Sequence, residues 1–170
     1  MRFDLDSGCG EGTCYIASDD MGAMRETLGP EYDASDLLPA SFFGDRRIWK
    51  LVPKKPWEGR IANLRTNWWS GFGLTNELFS ITPYDIPQAW ARSLRKITFD
   101  GLCVALRHLP DPSQYGLAIF GRQGMASADV RFTIEDSTDI TNTETTQFTI
   151  EFNIEFEATP QSEQSLNVLN

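Results

Sequence analysis

A helical pattern followed directly by two strand patterns is the feature that most limits the folds this chain can adopt. Residues 85–96 read DIPQAWARSLRK, and Asp85 with Gln88 has the spacing of an N-terminal capping box. Three apolar residues recur at helical spacing, and these are Ile86, Trp90 and Leu94. The next segments, FDGLCVAL and YGLAIFG, are apolar runs joined by the turn-prone RHLPDPSQ. A helix that leads into two adjoining strands favours an α+β fold.

A strand and a helix are also predicted near the N-terminus. TCYIAS (13–18) is apolar and β-prone, Ser18 or Asp19 can cap the helix that follows, and the Gly-Pro pair at 29–30 ends it. The glycine-rich segment DSGCGEGT (6–13) comes before this strand. A dinucleotide fingerprint needs its glycines between a strand and a helix, so this order excludes a Rossmann site.

The sequence changes character beyond Gly124. VRFTIE (130–135) and FTIEFNIEFE (148–157) alternate apolar and polar residues, which predicts a β-hairpin with one apolar and one acidic face. The apolar face would hold Phe148, Ile150, Phe152, Ile154 and Phe156. We therefore predict a domain over 1–125 and an acidic extension over 126–170, formed by the hairpin and a loose tail.

The formal net charge of −9 is concentrated in that extension, where one basic residue stands against nine acidic ones. The body is nearly neutral, with fourteen basic and fifteen acidic residues. Because nucleic-acid binding depends on basic surface, we expect no direct contact with nucleic acid. No apolar run reaches the length of a membrane span and the N-terminus does not resemble a secretory signal, so we expect a cytoplasmic protein and no membrane partner.

Cysteine and histidine are too sparse for a metal centre or a disulfide framework. The three cysteines form no C-x-x-C pair, and His108 is the one histidine. A single histidine after a strand is more often a structural hydrogen-bonding residue than a ligand. We expect no bound metal and no resident cofactor.

Two blocks of the chain resemble the RES domain family. They are RFDL…GTCYIAS…A…RETLG and IPQAWARSLRK…FDGLCVALRHLPDPSQYGLAIFG, and the resemblance runs from Arg2 to about Gly121. RES domains are typically toxins of toxin–antitoxin pairs, their fold is similar to that of ADP-ribosyltransferases, and characterised members destroy NAD. The resemblance therefore implies a split mixed sheet with a few short helices, NAD as substrate, and an antitoxin protein as a possible partner.

The resemblance also implies roles for individual residues. Cleavage of the nicotinamide–ribose bond passes through an oxocarbenium-like state, which the Glu26 carboxylate would stabilise as the catalytic group. Tyr15 would stack on nicotinamide, and Arg2 would bind the pyrophosphate through its planar guanidinium. The amides around Gly12 would add phosphate contacts, and Arg107 would face the pocket.

Each assignment has a plainer alternative, and the chain departs from the family pattern in two places. Glu26 on a surface helix needs no function, Tyr15 suits a core, and Arg2 stands beside the terminus. Leu106 occupies the position where the family has a serine. The family pattern also includes an earlier strand with a further arginine, so we interpret the chain as N-terminally short.

Two functions of different classes follow from these observations. The first is cleavage of NAD with water or phosphate as acceptor, by a glycohydrolase or a phosphorylase. The second is a truncated, catalytically silent RES domain that acts as a protein-binding module. The retained Arg2, Tyr15 and Glu26 favour the first, whereas Leu106 and the missing N-terminal strand favour the second.

Overall fold

The structure is a computed structural model that describes residues 1–5, 8, 10–32, 37–39, 42–44, 46–54, 58–106, 113–123, 131–152 and 154–156. Its strands are β1 (Glu11–Ala17), β2 (Leu37–Leu38), β3 (Arg47–Pro53), β4 (Ile61–Asn63), β5 (Gly101–Val104), β6 (Gly116–Arg122), β7 (Phe132–Asp139) and β8 (Glu155–Phe156). Its α-helices are α1 (Asp20–Tyr32), α2 (Asp85–Lys96) and α3 (Asn142–Phe152), and two 3₁₀ helices cover Asn67–Phe72 and Asn76–Phe79. Within these ranges, no helix has both the length and the apolar character that a membrane crossing requires.

The central element is a four-stranded mixed sheet with the order β1-β6-β5-β4. β6 is antiparallel to both β1 and β5, whereas β4 and β5 are parallel. Two further pairs complete the strands, β3 with β7 antiparallel and β2 with β8 parallel. A mixed sheet with a few short helices confirms the predicted α+β class.

Helix α2 has the predicted bounds, and two of the three predicted apolar residues face the core, since Leu94 is buried and Trp90 packs against the main core. Pro87, Ala91 and Leu94 are its buried residues, whereas Ile86 is 52% exposed. The predicted capping box is also absent, because Tyr84 is the N-cap and the Gln88 amide donates to the carbonyl of Met1 at 3.1 Å. Proline is well suited to the first turn of a helix, and its burial here turns Ile86 towards solvent.

The last turn of α2 is tied to the first residue of β1. Arg95 donates from Nη2 and Nε to Glu11 Oε1, at 2.6 and 3.0 Å, and a further ion pair joins Arg95 to Asp100 at 3.4 Å. The hydrogen bonds that Arg95 donates to the Glu11 carboxylate are the main cause that raises the pKa of the Arg95 guanidinium above its ordinary value. This contact fixes α2 across one end of the sheet.

The predicted C-terminal hairpin is wrong. Strand β7 pairs with β3 rather than with residues 148–157, and residues 142–152 form α3. A capping box starts this helix, since the Thr141 N–H donates to Glu144 Oε2 at 2.6 Å and the Glu144 N–H donates to Thr141 Oγ1 at 3.3 Å. The predicted loose tail, from Pro160 onwards, lies outside the described residues.

Helix α3 packs on the body of the protein through a second apolar core. The buried members of that core are Met24, Leu38, Phe43, Phe148 and Ile154. Met24 belongs to α1, and the Arg25 guanidinium lies 5.3 Å from the centre of the Phe152 ring. The C-terminal segment therefore supports α1 from one side. The division at residue 125 stays a prediction.

Candidate functional site

A tight turn brings α1 back towards the end of β1. The Asp19 carboxylate accepts a hydrogen bond from the Gly22 N–H at 2.8 Å and so caps the helix, which confirms one of the two predicted caps. Ser18 is held on the neighbouring strand, since its N–H donates to the Tyr115 carbonyl at 2.9 Å. The turn therefore starts α1 at a fixed point beside the sheet.

Arg2 of the N-terminal segment and Glu26 of α1 approach each other. Arg2 Nη2 lies 3.9 Å from Glu26 Oε2, and the side chains are 11% and 32% exposed. The separation exceeds that of a hydrogen-bonded ion pair, which is typically about 2.8 Å. Two of the residues named from the resemblance are thus adjacent and carry opposite charges.

Tyr15 fixes the chain segment that carries Arg2. Its hydroxyl accepts from the Phe3 N–H at 2.8 Å and donates to Asp4 Oδ1 at 2.9 Å. Thr13 Oγ1 adds a hydrogen bond to the Phe3 carbonyl at 3.0 Å. The Tyr15 ring is half-buried and packs against the main core, whose fully buried members include Phe3, Leu64, Leu102 and Phe120. The sequence did not single out Asp4, because a lone acidic residue after Arg-Phe has no distinctive pattern.

The surroundings of Tyr15 also determine how it titrates. Burial, and next the negative charge of Asp4, raise the pKa of the Tyr15 hydroxyl well above its usual range. The hydroxyl therefore stays protonated and continues to donate to Asp4 at pH values where a free tyrosine ionises.

We expect Tyr15→Phe to lower the free energy of unfolding near pH 7 by about 1–3 kcal/mol, because Asp4 and the Phe3 N–H lose their partner. The difference in unfolding free energy between the wild type and the variant should narrow above about pH 10. There Tyr15 ionises in the unfolded wild-type chain but not in the folded one, so the stability of the wild type falls as the pH rises. Denaturant unfolding at pH 7 and pH 10.5 measures both values. A difference that stays constant across this range would argue against the raised pKa.

The other predicted site residues are placed differently. Gly12 lies inside β1, in register with Gly121 of β6, at the end of the strand remote from α1. Arg107 and His108 lie outside the described residues. Leu106 is buried at 6% exposure and packs beside Gly22 of α1 and Gly116 of β6. A contact of Gly12 or Arg107 with a ligand stays a prediction.

Two open depressions lie away from this cluster. One, of about 660 Å³, follows the outer face of α3 and includes Thr146 and Ile150; the other, of about 380 Å³, follows α2 beside Ile86 and Trp90. Among the described residues, each is lined by one helix, whereas ligand sites bring polar groups together from several elements. The cluster of Arg2 and Glu26 fits that description better, because it joins the N-terminal segment to α1, and Tyr15 of β1 holds residues 3 and 4 of that segment.

The chemistry available to the cluster follows from its charges. A partly exposed carboxylate can stabilise a developing positive charge. A guanidinium held nearby can bind an anion in a bidentate manner, through two parallel N–H donors. The two are separated by 3.9 Å, so one ligand carrying both a cationic and an anionic part can reach both.

Comparison with known proteins agrees with the resemblance in the sequence. The model of the RES domain family matches residues 1–141 of the 170, which includes Arg2, Tyr15 and Glu26 and extends through β7. No curated protein and no solved structure matches the chain. Because the match covers well over half of its length, the chain belongs to the RES domain family, whose members are NAD-related, toxin-type domains.

Proposed function

We propose that this protein cleaves the nicotinamide–ribose bond of NAD and transfers the ADP-ribosyl group to water or to phosphate. The observation that carries the proposal is the 3.9 Å approach of Arg2 to Glu26. Tyr15 holds residues 3 and 4 next to Arg2, which supports a role for its ring in the same site. Membership of the RES family supports the choice of NAD.

Glu26 is the catalytic group in this proposal. As the bond between the ribose C1′ and the nicotinamide nitrogen breaks, its electron pair leaves with nicotinamide and positive charge develops on the ribose. The Glu26 carboxylate stabilises that charge and can accept hydrogen bonds from the ribose hydroxyls. The acceptor oxygen then bonds to C1′ and releases its proton when the acceptor is water.

Arg2 and Tyr15 hold the substrate. The Arg2 guanidinium binds the pyrophosphate, and this new contact replaces its 3.9 Å contact with Glu26. The Tyr15 ring offers its face to the cationic nicotinamide, while its hydroxyl keeps residues 3 and 4 beside β1. NAD acts as a substrate, so this scheme needs no metal and no resident cofactor.

In the cell this activity would act as a toxin by depleting NAD in the cytoplasm, with an antitoxin protein as the partner. The charge distribution supports a protein partner over nucleic acid, because the body is nearly neutral and most of the net charge of −9 lies beyond residue 125. We therefore expect no salt-sensitive binding of duplex DNA by the isolated chain.

Release of nicotinamide from NAD is the direct test. Purified protein is incubated with NAD, with and without inorganic phosphate, and the products are separated by chromatography. Nicotinamide with ADP-ribose identifies water as the acceptor, whereas nicotinamide with ADP-ribose 1-phosphate identifies phosphate. No release under either condition would contradict the proposal.

The same assay tests a second candidate, a catalytically silent domain that binds a protein. Burial of Leu106 favours it, because an apolar side chain at 6% exposure stands where the family pattern has a hydroxyl. An inert protein that still forms a stoichiometric complex with an antitoxin would support this second function.

A further inference from the structure

Leu106 fills a space that exists only because two glycines adjoin it. A Cβ added to Gly22 would lie 2.9 Å from Leu106 Cδ1, and a Cβ added to Gly116 would lie 3.0 Å from Leu106 Cδ2. Carbon–carbon contacts are normally about 3.5–4.0 Å, so a side chain at either glycine would crowd Leu106. One methyl of Leu106 therefore lies against α1 and the other against the start of β6.

The helix that rests on Leu106 is the one that carries Glu26. Gly22 and Glu26 are four residues apart in α1, so they lie on the same side of the helix, separated by about one turn. Gly22 is buried, and its N–H is the group that Asp19 caps. The distance between Gly22 and Leu106 consequently determines how close α1 lies to the sheet, and with it the distance from Glu26 to Arg2.

We propose that Leu106 is a positioning residue for the site: its contact with Gly22 fixes α1, and through α1 it fixes the Glu26 carboxylate beside Arg2. The kinetic consequences rest on the proposed cleavage of NAD, whereas the structural consequences rest on packing alone. Leu106 then supports the site through α1, one turn away from Glu26, and has no contact with the substrate.

Gly22→Ala is the first test. An alanine in a helix ordinarily stabilises it relative to glycine, but here the added methyl would lie 2.9 Å from Leu106 Cδ1, so either α1 or the Leu106 side chain must move, and the proposal requires that α1 moves. A displacement that moves Glu26 by a fraction of an ångström should lower kcat on the order of tenfold, since about 1 Å can cost a hundredfold, while KM changes little. The matched control is Gly71→Ala, which has no atom within 4 Å of the new Cβ and should keep wild-type kcat.

Rescue distinguishes positioning from a general loss of structure. Leu106→Ala alone should also lower kcat, because α1 loses its support. In the double variant Gly22→Ala/Leu106→Ala the new methyl occupies the vacated space, so kcat should rise above that of Gly22→Ala. If the double variant is as slow as Gly22→Ala or slower, the proposal is overturned.

A crystal structure of Gly22→Ala gives a readout that does not depend on activity. The expected result is an outward shift of the first turn of α1 and a distance between Arg2 Nη2 and Glu26 Oε2 longer than 3.9 Å. An α1 that stays in place while Leu106 changes rotamer would refute the inference. If the wild type releases no nicotinamide and α1 nevertheless shifts, the proposed function fails and the positioning role stands.

Discussion

Glu26→Gln should reduce nicotinamide release by about a hundredfold or more, which is the usual cost of removing one group that stabilises transition-state charge. Glutamine keeps the size of the side chain and its ability to accept a hydrogen bond, but it cannot offset positive charge on the ribose. Initial rates at saturating NAD measure the effect. Because Glu26 is 32% exposed and glutamine keeps its size and hydrogen-bonding capacity, the free energy of unfolding should change by less than about 1 kcal/mol.

The control for this variant is Glu77→Gln, the same chemical change at an exposed position in the 3₁₀ helix Asn76–Phe79. It should release nicotinamide at the wild-type rate. Equal rates for Glu26→Gln and the wild type would falsify the assignment of Glu26. Loss of activity in both variants would instead indicate a dependence on overall charge.

The residues of the candidate site could be named from the sequence, but their contacts could not. Arg2, Tyr15 and Glu26 were named because they resemble a family pattern, and the structure brings Arg2 within 3.9 Å of Glu26. The hydrogen bond from Tyr15 to Asp4 was missed, since it joins residues eleven apart through a segment with no regular period. Such a contact depends on tertiary packing, and local propensity carries no information about it.

The error in the C-terminal region has a physical reason. Alternation over 148–157 is a strand pattern, yet Phe148 and Phe152 are also four apart, which places them on one face of a helix. The sequence TNTE at 141–144 contains the T-x-x-E spacing of a capping box, and the structure forms that box. Recognising this start signal would have indicated a helix, with Ile150 facing solvent.

Helix α2 illustrates the reverse case, in which the element is right and one residue of its apolar face is wrong. Its bounds are predicted at 85–96 and observed there. Of the predicted stripe, Leu94 is buried and Trp90 packs against the main core, whereas Ile86 is 52% exposed. The buried side of the helix also includes Pro87 and Ala91, whose small side chains allow α2 to pack closely.

Phe148→Ala should lower the free energy of unfolding by about 3–5 kcal/mol, as removal of a buried phenylalanine usually does. Phe148 is fully buried at 0% exposure, and its ring lies 5.5 Å from that of Phe43 and 4.7 Å from that of Phe152. The matched control is Ile150→Ala on the same helix, where 78% of the side chain is exposed and the expected loss is below about 0.5 kcal/mol. Denaturant unfolding followed by tryptophan fluorescence measures both variants.

Because Phe148 shares its core with Met24 of α1, one cooperative transition should shift as a whole in Phe148→Ala. If Phe148→Ala is no less stable than Ile150→Ala, or if a separate minor transition alone is lost, then α3 does not support the helix that carries Glu26.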